Sequence, residues 1–64
     1  MKRERLIELR KSNTIQHAAD KIGITRQMLG AVENGTRTPS LPIAFKIARH
    51  YRVTLEKIFG GEFK

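Results

Sequence analysis

The sequence predicts an all-α fold, a compact bundle of five short helices in which two consecutive helices form a helix-turn-helix. Three observations predict it. Apolar residues recur at i, i+3, i+4 and i+7 in Ile15, Ala18, Ala19 and Ile22, and again in Leu41, Ala44, Phe45 and Ala48, the spacing of one face of a helix. Thr14, Thr25, Ser40 and Thr54 stand directly before candidate helical segments, where a side-chain oxygen can accept a hydrogen bond from the unpaired amides of a first turn. Gly23 and Gly35 fall where helices must stop, and glycine tolerates the left-handed conformation that stops them.

Taken in order, the first helix is expected over residues 2–11. Leu6 and Leu9 lie three apart, Ile7 broadens their face, and the rest is charged. Ser12-Asn13 breaks the pattern and Thr14 caps the second helix, residues 15–22. After Gly23 the third helix runs from Arg26 to about Glu33, with Leu29 and Val32 on its inner side, and the small Ala19 lets it cross close over the second. A helix, a tight glycine turn and a second helix with a polar start describe a helix-turn-helix of the kind that reads DNA. The fourth helix follows Ser40. Pro42 is tolerated in its first turn, where amide donors are unpaired anyway, and Ile47 and Tyr51 widen its stripe. The fifth follows Thr54 and carries Leu55, Ile58 and Phe59, with Phe63 in the tail beyond Gly60-Gly61. Leu55, Ile58, Phe59 and Phe63 offer more apolar surface than so small a domain buries alone, which predicts that part of it forms a two-fold dimer interface.

Composition narrows the function. Sixty-four residues make one small domain, 1–64, with a modest core. There is no cysteine, hence no disulfide framework or thiolate metal site, in keeping with a cytoplasmic location. No apolar run approaches the roughly 18 residues of a membrane span, and the basic start lacks the apolar segment of a signal peptide. Thirteen Lys and Arg against six acids give a net charge of +7, which favours a polyanionic partner, most simply nucleic acid. The charge is uneven. Residues 1–11 hold five bases and two acids, residues 12–38 three and two, and residues 39–64 five and two. The proposed reading hairpin is nearly neutral, so its phosphate contacts must rest on amides, hydroxyls and helix N-termini, with the flanks supplying the field. His17 and His50 are far apart in sequence with no cysteine or clustered acid nearby. No metal site, cofactor or catalytic set is expected, and the protein is not read as an enzyme.

With Ile15 counted as first of a twenty-residue motif, Ala19 is fifth, Gly23 ninth, Leu29 fifteenth and Val32 eighteenth. These small, glycine and apolar positions resemble the Cro and lambda-repressor type of helix-turn-helix, the XRE family of prokaryotic regulators, with the motif over about 15–34. Glu33-Asn34-Gly35-Thr36-Arg37-Thr38-Pro39-Ser40 looks like that family's E-N-G-x-R-x-P-S segment, and Ile47-Ala48 and Thr54–Phe59 look like its last two helices. The resemblance covers roughly residues 5–59. It implies a lambda-repressor-like fold and a prokaryotic or phage transcriptional regulator, most simply a repressor that binds a palindromic operator on double-stranded DNA as a homodimer.

The resemblance also assigns roles. Arg26 and Gln27 open the third helix, where side chains reach base edges in the major groove. Arginine can donate two bonds to guanine, and glutamine can pair with adenine. One turn further, Gly30 and Ala31 offer space rather than hydrogen bonds, and resemble a Gly-Ala pair of the lambda-repressor branch. Thr36, Arg37 and Thr38 look like the family's phosphate-binding loop, next to Asn34. Thr14, Gln16 and Thr25 lie at the helix starts that face the DNA backbone. The sequence departs from the family here: the stretch before Thr14 is about two residues shorter, and the glutamine usual just after the cap is Ile15, with Gln16 one place later. Glu33 sits in the last turn of the third helix, the unfavourable end of the helix dipole for an acid. Arg10 looks like the arginine that pairs with it in the family.

Two other readings fit less well. A protein-interaction module of the same fold, such as an antitoxin, would use its surface on a protein partner. A cationic lipid-binding peptide needs one long one-sided helix, whereas this chain is broken at Thr14, Thr25, Ser40 and Thr54.

Overall fold

The computed structural model describes residues 2–63, which form five α-helices: α1 (Glu4–Arg10), α2 (Ile15–Ile22), α3 (Arg26–Asn34), α4 (Leu41–Tyr51) and α5 (Leu55–Phe59). Their starts follow from the hydroxyl caps. The Thr14 oxygen accepts from the His17 amide at 3.0 Å, Thr25 from Met28 at 3.0 Å, Ser40 from Ile43 at 3.4 Å and Thr54 from Lys57 at 3.2 Å. Gly23 ends α2 with φ 92°, its amide returning to the Ala19 carbonyl at 2.8 Å, and Gly35 ends α3 with φ 77°.

Helix α1 is shorter than the hydrophobic pattern predicts. The Arg3 amide donates to the carbonyl of Glu33 at 2.8 Å, so Arg3 lies against the end of α3. At the other end Lys11 adopts φ 56°, ψ −131° and stops the helix. Arg52 ends α4 with φ 57°, the second positive φ outside glycine among the described residues.

Leu6, Leu29, Val32 and Ile47 are fully buried, joined in one cluster by Ala18, Ala19, Ile22, Ala44, Ala48, Ile58 and Phe59. The four alanines let backbones approach closely: α2 packs against α3 and α4, α5 closes on α4 and α1, and α1 also lies along α3. The periodic faces of α2 and α3 supply Ala18, Ala19, Ile22, Leu29 and Val32 as marked, whereas on α4 Ala44, Ile47 and Ala48 are buried and the marked Leu41 and Phe45 are exposed.

Burial divides the residues expected at a dimer interface. Ile58 and Phe59 are 6% and 3% exposed. They close the core of a single copy and leave little surface for a second. Phe63 turns back so that its ring meets Phe59 edge to face, 5.3 Å between centroids. Leu55 is half-buried. The large apolar side chains most exposed are instead Leu41 and Phe45 on α4, at 45% and 49%.

Candidate nucleic-acid interface

Helix α3 divides cleanly by face. Leu29, Val32 and Glu33 point inward, while Arg26 and Gln27 in its first turn are exposed. Met28 is partly buried against the core. Gly30 and Ala31 lie between the two sides. A Cβ placed on Gly30 would meet nothing within 4 Å. The protein's own packing therefore does not require glycine there, and the space in front of this turn is open to a ligand.

The side chains at the helix starts have a double use. Thr14 and Thr25 each accept an amide bond with the hydroxyl oxygen, which leaves each O–H free to donate outward. The Gln16 amide donates to Asp20 along α2 at 2.8 Å in an exposed pair. Asn34 and Arg37 are exposed. Thr36 and Thr38 are differently placed from what a pair of hydroxyl donors requires. Thr36 Oγ1 donates to the Ala31 carbonyl at 3.2 Å, and Thr38 Oγ1 donates to the Glu62 carboxylate at 3.3 Å. The outward-facing cation of this loop is Arg37.

Beneath the surface, the Arg10 guanidinium meets the Glu33 carboxylate with two parallel bonds, Nε to Oε2 at 2.8 Å and Nη2 to Oε1 at 3.1 Å, and donates a third bond to the Asn13 carbonyl at 2.8 Å. The Glu33 side chain is 3% exposed and that of Arg10 17%. The hydrogen bond that Arg10 donates to Glu33 raises the arginine's pKa against the opposing effect of burial, so the cation is secure. The fork ties the end of α1 to the last turn of α3 and supplies the positive charge that a buried acid at a helix C-terminus needs. Tyr51 stands beside this pair. Burial pushes its hydroxyl pKa up, the Glu33 charge adds to that, and Arg10 opposes it. The hydroxyl has no hydrogen-bond partner among the described residues.

Sequence reasoning misses Arg3 and Glu62. The Arg3 guanidinium donates to the carbonyls of Val32 and Arg37, the latter at 3.1 Å, and grips Glu62 through Nη2 at 2.6 Å and Nε at 3.2 Å. It also lies 5.2 Å from the centre of the Phe59 ring. Its hydrogen bond holds the Glu62 carboxyl below the usual carboxylate range, with the charge of Arg3 and the Thr38 hydroxyl adding to the shift and burial opposing it. No periodic pattern marks either residue. One is a single base in a basic run, and the other is a single acid after a glycine pair.

The family model described as "Helix-turn-helix" matches residues 6–58. The chain belongs to the XRE-type helix-turn-helix family of transcriptional regulators. Among relatives in this family, an uncharacterised HTH-type transcriptional regulator of Methanocaldococcus jannaschii is 46% identical over 46 residues, covering 72% of this chain and 70% of its own. The HTH-type transcriptional regulator AnsR of Bacillus subtilis is 34% identical across 97% of this chain, which spans 55% of AnsR. In three dimensions the XRE-type fold is shared with the restriction-modification controller protein C.AhdI from Aeromonas hydrophila, at a TM-score of 0.75 and 33% identity over 88% of both chains. No helix among the described residues is long and apolar enough to cross a membrane.

Proposed function

We propose that this protein is a sequence-specific repressor that binds a two-fold symmetric operator as a homodimer, with α3 of each copy in the major groove. The observation that carries this reading is the outer face of α3: two long hydrogen-bonding side chains, Arg26 and Gln27, in its first turn, followed by the open step at Gly30. This face offers Arg26 for guanine, Gln27 for adenine and the Ala31 methyl for thymine. Thr14, Gln16, Thr25, Asn34 and Arg37 surround it as backbone contacts, with the amides of the α2 and α3 N-termini between them. Repression is by occupancy, with no chemistry done by the protein.

The second copy docks on the groove between α4 and α5 rather than on the buried Ile58 and Phe59. Phe45, Val53 and Leu55 line that groove, flanked by Arg49 and Glu56. An apolar groove that carries both a base and an acid can be self-complementary across a two-fold axis. Selection of bound sequences from a random DNA pool tests the whole reading. Enrichment of a palindrome with two half-sites about one helical turn apart supports it. No enrichment would instead favour a protein partner on the same fold.

A further inference from the structure

We propose that Arg3 and Glu62 are positioning residues for phosphate recognition: together they clasp the loop between α3 and α4 and hold Arg37 where a DNA phosphate meets it. This rests on the DNA-binding reading above and deepens it. The two residues lie 59 positions apart in sequence, yet they pair with each other and converge on one short loop. Arg3 donates to the Arg37 carbonyl at 3.1 Å, and Glu62 accepts from the Thr38 hydroxyl at 3.3 Å. Within the loop, the amides of Thr36 and Arg37 both reach the Ala31 carbonyl, at 3.1 and 3.4 Å. Backbone and side chains on both flanks of Arg37 are thereby fixed, while its own guanidinium takes part in no ion pair among the described residues.

The chemistry suits an arginine and not a lysine. Bonds to Val32, Arg37 and Glu62 use three nitrogens of one planar group, a geometry a single ammonium cannot copy. The side chain of Arg3 is 8% exposed, so its charge is spent inside the protein and is poorly placed to contact phosphate itself. Glu62 carries the opposite argument. A carboxylate next to a phosphate-binding loop repels DNA, so field alone would favour its absence. Its presence makes sense if order in the loop outweighs that repulsion, because a contact already fixed before binding loses less entropy on binding.

Binding of a random-sequence duplex suffices as the test, because phosphate contacts do not depend on sequence. Arg3→Lys keeps the charge and removes the fork; it should weaken binding about tenfold, the worth of a lost charge-assisted hydrogen bond. Glu62→Ala should also weaken binding, although loss of an acid alone would strengthen it. Arg37→Ala should cost about as much in the wild type but little in the Arg3→Lys background, since its contact is already lost there. Amide exchange provides a readout without DNA: Thr36 and Arg37 should exchange roughly tenfold faster in both variants, while Leu29 and Val32 stay protected. Tighter binding by Glu62→Ala, full affinity in Arg3→Lys, additive losses with Arg37→Ala, or uniform acceleration of exchange would each overturn the clasp. A wild type that binds no duplex would sink the DNA-binding reading itself, whereas a wild type that binds and variants that match it would sink the clasp alone.

Discussion

Glu33 is the single charged residue buried among the described residues, at 2% exposure, and its environment decides what its loss costs. With Arg10 removed, the carboxylate is stranded in the core beside the negative end of α3, so Arg10→Met should destabilise by about 3 kcal/mol, well beyond the ~0–1 kcal/mol of an exposed pair. Glu33→Gln should be costly for the reciprocal reason. The double variant should lose less than the two single losses combined; urea unfolding of all four proteins measures the coupling, and strict additivity would show that the side chains act independently. Glu62 makes a different prediction because it is partly solvated and screened. Its folded pKa is depressed, chiefly by the Arg3 hydrogen bond. It therefore contributes stability that is fully present above the unfolded pKa and is lost as pH falls through the lowered folded value. Glu62→Gln should therefore be less stable than the wild type near neutrality and have a flatter profile as pH falls through the carboxylate range, so that the two proteins converge in acid, which denaturant midpoints across that range would show.

At the level of elements, the most informative position is Gly30. Glycine inside a helix costs about 1 kcal/mol relative to alanine, and nothing in the fold occupies the space a methyl group would take. Gly30→Ala should raise stability by about that amount. If α3 lies deep in a groove, the same change should weaken operator binding, and opposite signs in thermal unfolding and DNA titration are the expected outcome. The elements themselves are legible in the sequence because their determinants are local. Thr14, Thr25, Ser40 and Thr54 each act within one turn, and Ile15 to Ile22 carry their own periodicity. Helix α1 is mispredicted at both ends for the contrary reason. Its start is set by a bond from Arg3 to Glu33 and its end by the backbone of Lys11, neither of which follows from apolar spacing. Ile58 and Phe59 are apolar in any reading, and only the packing of α5 on α4 and α1 distinguishes core from interface. Arg3 and Glu62 are invisible for the same reason, since a contact across 59 residues leaves no local trace.

For the whole molecule, charge and shape divide the work. In the proposed function the nearly neutral hairpin between Thr14 and Thr38 reads the bases, while the basic segments on either side of it provide attraction that salt will screen. Arg26→Ala and Gln27→Ala should each cost ~1–3 kcal/mol on the selected operator and much less on random DNA, whereas Arg37→Ala should weaken both alike and lower the salt slope by about one. Competition titrations at several salt concentrations separate the two behaviours. Equal losses on both kinds of DNA would make Arg26 and Gln27 backbone contacts. Occupancy of two half-sites also requires the α4–α5 groove to be covered. Phe45→Glu should leave the core intact, because Phe45 is exposed; if the proposed dimer forms through this groove, sedimentation should show a wild-type dimer and a monomeric variant.

The end of α1 has a further consequence for heat tolerance. Lys11 adopts φ 56°, ψ −131°, almost the conformation of Gly60 at φ 59°, ψ −128°. The same turn is therefore made once with glycine and once with a side chain that the backbone accommodates poorly, a strain of roughly 1–3 kcal/mol. Lys11→Gly relieves it, and in a chain of this size each 1 kcal/mol moves the melting temperature by about 4–8 °C. The protein thus holds an unused reserve of thermal stability at an exposed position, accessible by a single substitution and visible in a calorimetric scan.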